Sequence, residues 1–100
     1  MSDEYIKPEN VNSPKAYVQV ERVLVDDGPG TCAMAIGRWE KDRRILSRWN
    51  GNKNQPKGMP ISNQYPIWYV EPQELTEYIV LYLVKRNPTM EQYIREYLRG

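Results

Sequence analysis

Alternating apolar and polar residues predict three β-strands in the first half of the chain. The first begins at residue 16, the second covers about 31–40 and the third about 44–49. Turn residues separate them, at 27–30 (Asp-Gly-Pro-Gly) and at 41–43 (Lys-Asp-Arg). On the first strand, Val18, Val20 and Leu24 are expected to share one face. A short fourth strand is predicted at 67–70.

The spacing of apolar residues becomes helical after residue 71, where Glu-Pro-Gln-Glu is typical of a helix start. The segment 75–84 carries apolar residues on most of its surface, which predicts a helix buried on most sides, with a strand as the alternative. Asn87-Pro88 ends it, and a clean amphipathic helix follows at 90–98. The order β-β-β-loop-β-α-α indicates an α+β fold, in which one or two C-terminal helices pack against a four-stranded antiparallel sheet.

Two segments fall outside this pattern. Residues 1–15 lack periodicity and are expected to form a flexible arm, which leaves 16–100 as a single domain. Residues 50–66 form a long stretch rich in Asn, Gln, Gly, Pro and Lys. Such loops are usually functional or mobile, although a tolerated insertion is the alternative.

Composition excludes several classes of site. One hundred residues build one core, and the single Cys32 excludes an intramolecular disulfide and a thiolate zinc site. The start of the chain lacks the features of a secretory signal, and the longest apolar run, residues 78–84, is too short to span a bilayer. We therefore expect a cytoplasmic protein with no membrane partner.

Catalytic chemistry has little support in the residues. The chain has no His, the commonest general base and metal ligand. Glu71, Glu74 and Glu77 are expected to form an acidic first helical turn, and Cys32 is expected to be a buried, inert thiol. The sequence therefore predicts a protein that is not an enzyme and binds no metal or cofactor.

Charge is unevenly distributed, although the net charge is only +1. Residues 38–57 contain seven basic and two acidic residues, interleaved with two tryptophans. Basic strands with exposed aromatics are typical of single-stranded nucleic-acid binding, since bases stack on rings and cations contact phosphates. The candidate nucleic-acid-binding residues are Arg38, Trp39, Arg43, Arg44, Arg48, Trp49, Lys53 and Lys57. Alternatively, the tryptophans close the core and the arginines form a solvated face.

Strand geometry constrains this candidate surface. Arg44 and Arg48 are four residues apart, so they share a face about 13–14 Å apart, close to a two-nucleotide spacing. Trp49 points to the opposite face if the strand is regular. It joins the arginines only if the strand bends near Asn50-Gly51.

Two short segments are similar to those of a known family. Residues 47–51 (Ser-Arg-Trp-Asn-Gly) are similar to a Trp-Asn-Gly segment, and residues 57–62 (Lys-Gly-Met-Pro-Ile-Ser) to a Lys-Gly-Ile-Ser segment with an insertion. With the strand-and-helix order, they resemble the positive-cofactor-four-like single-stranded DNA-binding family over about half the chain. Residues 65–69 have no counterpart there. The resemblance implies a homodimer joined through helices, and a strand-binding sheet surface that includes Arg38, Trp39, Arg44, Arg48 and Trp49.

The sequence thus predicts a non-enzymatic binding protein, with single-stranded nucleic acid as the leading ligand. The rival hypothesis is a small protein-interaction module or ligand-binding dimer, in which the long loop shapes the site. Both include self-association, because the helix at 75–84 carries more apolar surface than one sheet face needs to cover.

Overall fold

The computed structural model describes residues 5–100 and confirms the α+β fold. Four antiparallel strands form one sheet in the order β1-β2-β3-β6, and two helices follow at the C-terminal end. The elements are β1 (Val18–Asp26), β2 (Cys32–Trp39), β3 (Asp42–Trp49), β4 (Ile61–Ser62), β5 (Tyr65–Pro66), β6 (Tyr69–Val70), α1 (Thr76–Arg86) and α2 (Glu91–Arg99). Strands β4 and β5 pair only with each other, inside the long loop.

The edge strand β1 contains two β-bulges, which change the face to which its residues point. The register with β2 shifts between Val20 and Arg22, and again between Val23 and Val25. Each bulge adds one unpaired residue, so the side-chain alternation changes phase there. Leu24 therefore packs in a different core cluster from Val18. The expectation that these two residues share a face is wrong for this reason.

The helices cover one face of the sheet. Val80 and Leu83 of α1 and Ile94 of α2 are buried against Ile36 and Ile45 of the two central strands. Burying such side chains stabilises the fold by about 1.5–3 kcal/mol each. This packing confirms the predicted helix at 75–84 and removes the strand alternative.

The prediction that this helix is buried on most sides is wrong for the single chain. Tyr78, Leu81 and Tyr82 remain exposed on the side of α1 that faces away from the sheet. Helix α2 packs beside α1 and does not cover this face. An apolar helix face is therefore left open.

The opposite face of the sheet is covered by irregular chain. Val11 is fully buried there, against a cluster that includes Leu46 and Trp68. The Trp68 indole Nε1 donates a hydrogen bond to the carbonyl oxygen of Val11 at 2.6 Å. The described part of the expected flexible arm is thus packed onto the sheet up to Val11, while residues 1–4 lie outside the described residues. The predicted strand at 67–70 shortens to β6, and Trp68 enters this core.

Candidate ligand groove

An open end of the helix-covered sheet face forms a concave surface lined mainly by apolar side chains. In the β2–β3 ladder, Cys32 lies opposite Trp49 and Met34 lies opposite Ser47. Ser47 also lies opposite Tyr69 of β6. Side chains at these directly paired positions lie on one face. The helices pack over Ile36 and Ile45 but leave this end uncovered, since Trp49 is 58% exposed.

These side chains surround a groove of about 410 Å³. Its lining is mainly apolar, and the Trp49 and Tyr69 rings are 58% and 53% exposed. Met59 and Pro60 add a wall from the long loop. A groove of this size accepts a small ligand or one or two side chains of a partner, and its exposed aromatic rings offer such a group apolar surface to bury.

Glu71 places one carboxylate in the groove, and hydrogen bonds fix its position. The Ser47 hydroxyl donates to Glu71 Oε2 at 2.6 Å. The backbone N–H of Glu71 donates to the carbonyl oxygen of Ile45 at 2.9 Å. The Arg44 guanidinium donates to the backbone carbonyl oxygen of Glu71 at 2.6 Å. Within residues 5–100 no salt bridge involves the Glu71 carboxylate.

Cys32 is partly buried and lines the groove, so it is less enclosed than the sequence predicted. Burial raises the pKa of its thiol, and the nearby Glu71 carboxylate raises it further. Both effects disfavour the thiolate, which is the nucleophilic and metal-binding form. Cys32 therefore contributes a neutral, soft apolar surface.

Arg48 fixes the long loop to the sheet. Its side chain lies on the face opposite the groove, is 3% exposed, and donates hydrogen bonds to the carbonyl oxygens of Lys57 and Ile67. Desolvation lowers the pKa of Arg48 to about 10, so the guanidinium is still charged at neutral pH. A single buried cation thus joins the middle of the loop, at Lys57, and the residue that follows it, Ile67, to β3.

The loop meets β3 again one residue further on. Trp49 and Met59 exchange backbone hydrogen bonds, at 2.8 and 2.9 Å. Gly58 makes this approach possible, because its φ is +68° and a Cβ there would collide with Trp49 and Arg48. The loop therefore carries Met59 to the groove in a fixed position.

The structure places the predicted nucleic-acid-binding residues in several regions. Arg38 and Arg43 are exposed at the other end of the same face, where they help line a polar concavity. The Arg43 guanidinium lies 4.7 Å from the centre of the Tyr97 ring and donates to the Tyr97 carbonyl oxygen at 3.2 Å. Helix α2 therefore occupies part of this end of the sheet.

The remaining candidates do not join one surface. Trp39 lies on the face of the sheet opposite Trp49, where it packs against the cluster that includes Val11 and Trp68. The centre of its ring is 5.9 Å from the centre of the Tyr17 ring. Arg44 is half-buried, Lys53 is exposed in the loop, and Lys57 is half-buried. Strand β3 stays regular through Trp49, so no bend brings this residue to the side of Arg44 and Arg48.

Sequence reasoning missed most of the groove. Strand alternation correctly placed Ser47 and Trp49 together, but Met59 and Tyr69 reach the site only through pairings across 10 and 22 residues. Glu71 was interpreted as part of an acidic helical turn, whereas it precedes the first turn and lies beside Ser47. The sequence did not indicate which segments pair with the edge of β3 that faces away from β2, namely β6 and Met59.

Comparisons with known proteins give no family assignment. No family model, no curated protein and no solved structure matches the chain. Neither helix of the described chain is long and apolar enough to cross a membrane. Within residues 5–100, no three metal-ligating side chains of the His, Cys, Asp and Glu types are grouped as a metal site requires. The function must therefore be argued from the groove.

Proposed function

We propose that the protein is a non-enzymatic binding protein that holds an apolar group of its ligand in the groove. The observation that carries this proposal is the joint exposure of Trp49, Met59 and Tyr69 around one apolar concavity. These side chains come from three separate segments, and the buried Arg48 holds one of those segments in place. A site assembled in this way needs no rearrangement to accept a ligand, which lowers the entropy cost of binding.

The chemistry of the lining supports binding rather than catalysis. The chain has no His, and the raised pKa of Cys32 leaves little thiolate at neutral pH. Glu71 is a single carboxylate with no second acid or base in the lining that is free to exchange a proton with it. The lining therefore offers one carboxylate but no activated nucleophile, which favours binding over covalent catalysis.

Single-stranded nucleic acid stays a prediction and is the rival ligand. Trp49 and Tyr69 are suited to stack on bases. However, Glu71 would repel phosphate, and the Arg48 cation is engaged by carbonyl oxygens on the opposite face. Charge in the groove therefore favours a ligand other than a polyanion.

An NMR titration of the three tryptophan indole N–H signals tests the proposal. Indole is the neutral apolar probe, and a mixed-sequence single-stranded oligonucleotide at two salt concentrations is the rival. We expect indole to shift the Trp49 signal and to leave the buried Trp68 signal unchanged. Tyr69→Ala should weaken the effect, whereas Tyr78→Ala on the exposed face of α1 should not. A Trp49 response to the oligonucleotide alone, weakened by salt, would support the nucleic-acid hypothesis instead.

We further propose that two copies associate through the exposed face of α1. Tyr78, Leu81, Tyr82 and Lys85 follow the spacing i, i+3, i+4, i+7 on one side of the helix, and Glu74 precedes them by one turn. In an antiparallel two-fold pairing, Glu74 of each copy would meet Lys85 of the other around an apolar centre. This charge pattern supports a second copy as the occupant.

A further inference from the structure

The groove carries a negative charge that the described part of the chain does not neutralise. Glu71 Oε2 accepts a hydrogen bond from the neutral Ser47 hydroxyl, and no salt bridge within residues 5–100 involves the Glu71 carboxylate. The Arg44 guanidinium is close, but it donates to the backbone carbonyl oxygen of Glu71. A carboxylate fixed beside apolar surface is a favourable position for a cation, because water screens the attraction less there.

The charge of Arg48 does not cancel this field in the groove. Although Arg48 contributes to the lining, its neighbours Ser47 and Trp49 point to the groove side and its own side chain points away. The two terminal nitrogens of the guanidinium donate to the carbonyl oxygens of Ile67 and Lys57, whose negative ends face the cation. The strand backbone therefore separates Arg48 from a bound ligand.

The two exposed rings of the groove have no cation of their own within the described residues. The cation–π contacts of residues 5–100 use Tyr5, Tyr82, Tyr93 and Tyr97. None uses Trp49 or Tyr69, although both rings are more than half exposed. A cation over the face of such a ring is attracted by the ring quadrupole, and Trp is the strongest of the aromatic partners.

We infer that the groove selects a ligand that joins an apolar chain to an alkylated ammonium group. The ammonium would lie near the Glu71 carboxylate and the Trp49 and Tyr69 rings, and the apolar chain would contact Met59 and Cys32. This inference rests on the proposed function, because it specifies the charge of the group that the same groove holds.

Two probes of equal shape separate charge from apolar contact. Choline and 3,3-dimethylbutan-1-ol differ only in a central N⁺ or C atom, so their sizes match while their charges differ. Both are titrated into the full chain, and the Trp49 indole N–H signal reports on binding. We expect choline to bind about tenfold more tightly than the neutral alcohol.

Glu71→Gln tests the role of the carboxylate without removing the acceptor for Ser47. This variant should reduce the affinity for choline about tenfold and leave that for the alcohol unchanged. Glu9→Gln is the matched control, because it removes an exposed carboxylate that lies outside both the groove and the α1 face, and it should change neither affinity. Thermal unfolding of both variants shows whether the fold is retained.

The outcomes separate this inference from the proposed function. Tighter binding of choline that Glu71→Gln abolishes supports both. If choline and the alcohol bind equally well and Glu71→Gln has no effect, the inference that the groove selects a cation is wrong. The proposal that the groove binds an apolar group is then retained. If choline, the alcohol and indole all leave the Trp49 signal unchanged, the groove is not a binding site and both proposals fail.

Discussion

The two faces of the sheet are covered in different ways, and this difference locates the candidate site. Helices α1 and α2 cover one face with regular, strongly apolar elements, and they stop before the end that contains Cys32 and Trp49. On the other face, irregular chain buries Val11 and Trp68 completely or almost completely. Irregular chain can follow the sheet surface closely, whereas a straight helix of fixed length leaves uncovered the part of the sheet beyond its end. The groove is that uncovered part.

Truncating Trp68 tests whether the irregular face stabilises the fold as strongly as the helical face. Trp68→Ala should lower the free energy of unfolding by about 3–5 kcal/mol, since it removes a buried ring and its bond to Val11. Leu83→Ala is the corresponding change on the buried side of α1, and it should lower the free energy of unfolding by about 2–5 kcal/mol. Urea denaturation followed by circular dichroism measures both.

Trp68→Phe keeps most of the ring and loses only the indole hydrogen bond. Losing that hydrogen bond should lower the free energy of unfolding by about 0.5–1.5 kcal/mol, in addition to a small loss of packing. A loss below 1 kcal/mol for Trp68→Ala would show that the irregular segments only rest on the sheet, and the comparison between the faces would fail.

Replacing Arg48 tests how the long loop is held. Arg48→Met should lower the free energy of unfolding by about 1–3 kcal/mol, because two carbonyl oxygens lose their donor while removal of a desolvated cation offsets part of that loss. Arg44→Met is the control, since Arg44 is half-buried and makes one such bond.

Amide exchange then shows where the Arg48 variant opens. We expect faster exchange at Met59, whose N–H pairs with Trp49, and unchanged exchange in α1. Equal effects of the Arg44 and Arg48 variants on stability would contradict the role of Arg48 as the anchor of the loop.

The exposed face of α1 should determine the association state. At high micromolar concentration, light scattering should give twice the chain mass of 11.8 kDa. Leu81→Glu should raise the dimer dissociation constant about a hundredfold or more, because each of the two copies loses the burial of one Leu side chain, about 1.5–3 kcal/mol. Lys85→Glu together with Glu74→Lys should preserve association by exchanging the two charges. A single-chain mass at these concentrations would rule out the dimer.

The smallest expected effect comes from a surface ion pair. The Arg95 guanidinium donates to both Glu77 carboxylate oxygens, at 3.0 and 3.1 Å, and lowers the pKa of Glu77 below its ordinary value of 4.5. Because the pKa of Glu77 is lower in the folded state, the ion pair stabilises the fold above pH 4.5. This stabilisation is lost as the pH falls through the pKa that Glu77 has in the folded state. Glu77→Gln should therefore lower Tm slightly at pH 7 and flatten the loss of Tm between pH 5 and pH 3. Thermal unfolding followed by circular dichroism at each pH measures both effects.

The sequence was most informative where chain neighbours also pair in space. The β1–β2–β3 meander and both helices follow from local periodicity and turn residues, and the structure confirms them. Periodicity failed in β1, where two bulges changed the phase of Leu24 without a residue pattern that marks them.

The candidate site was less predictable for a related reason. A basic residue in an alternating strand is expected to be solvated, yet Arg48 is buried, and the carbonyl oxygens of Lys57 and Ile67 replace water at two of its three guanidinium nitrogens. Those oxygens belong to the backbone, so no side-chain pattern reveals them. The same holds for Met59, whose position depends on Gly58 and on a backbone pairing.

The two bulges in β1 restrict how this protein can meet another chain. An edge strand usually offers a row of free backbone groups to which a further strand can add. In β1, the bulges break that row twice, and the exposed charges of Glu21 and Arg22 lie at the first bulge. At the other edge of the sheet, β6 is only two residues long. Sheet extension is therefore disfavoured at both edges, which protects the protein from edge-to-edge polymerisation and leaves recognition to side chains.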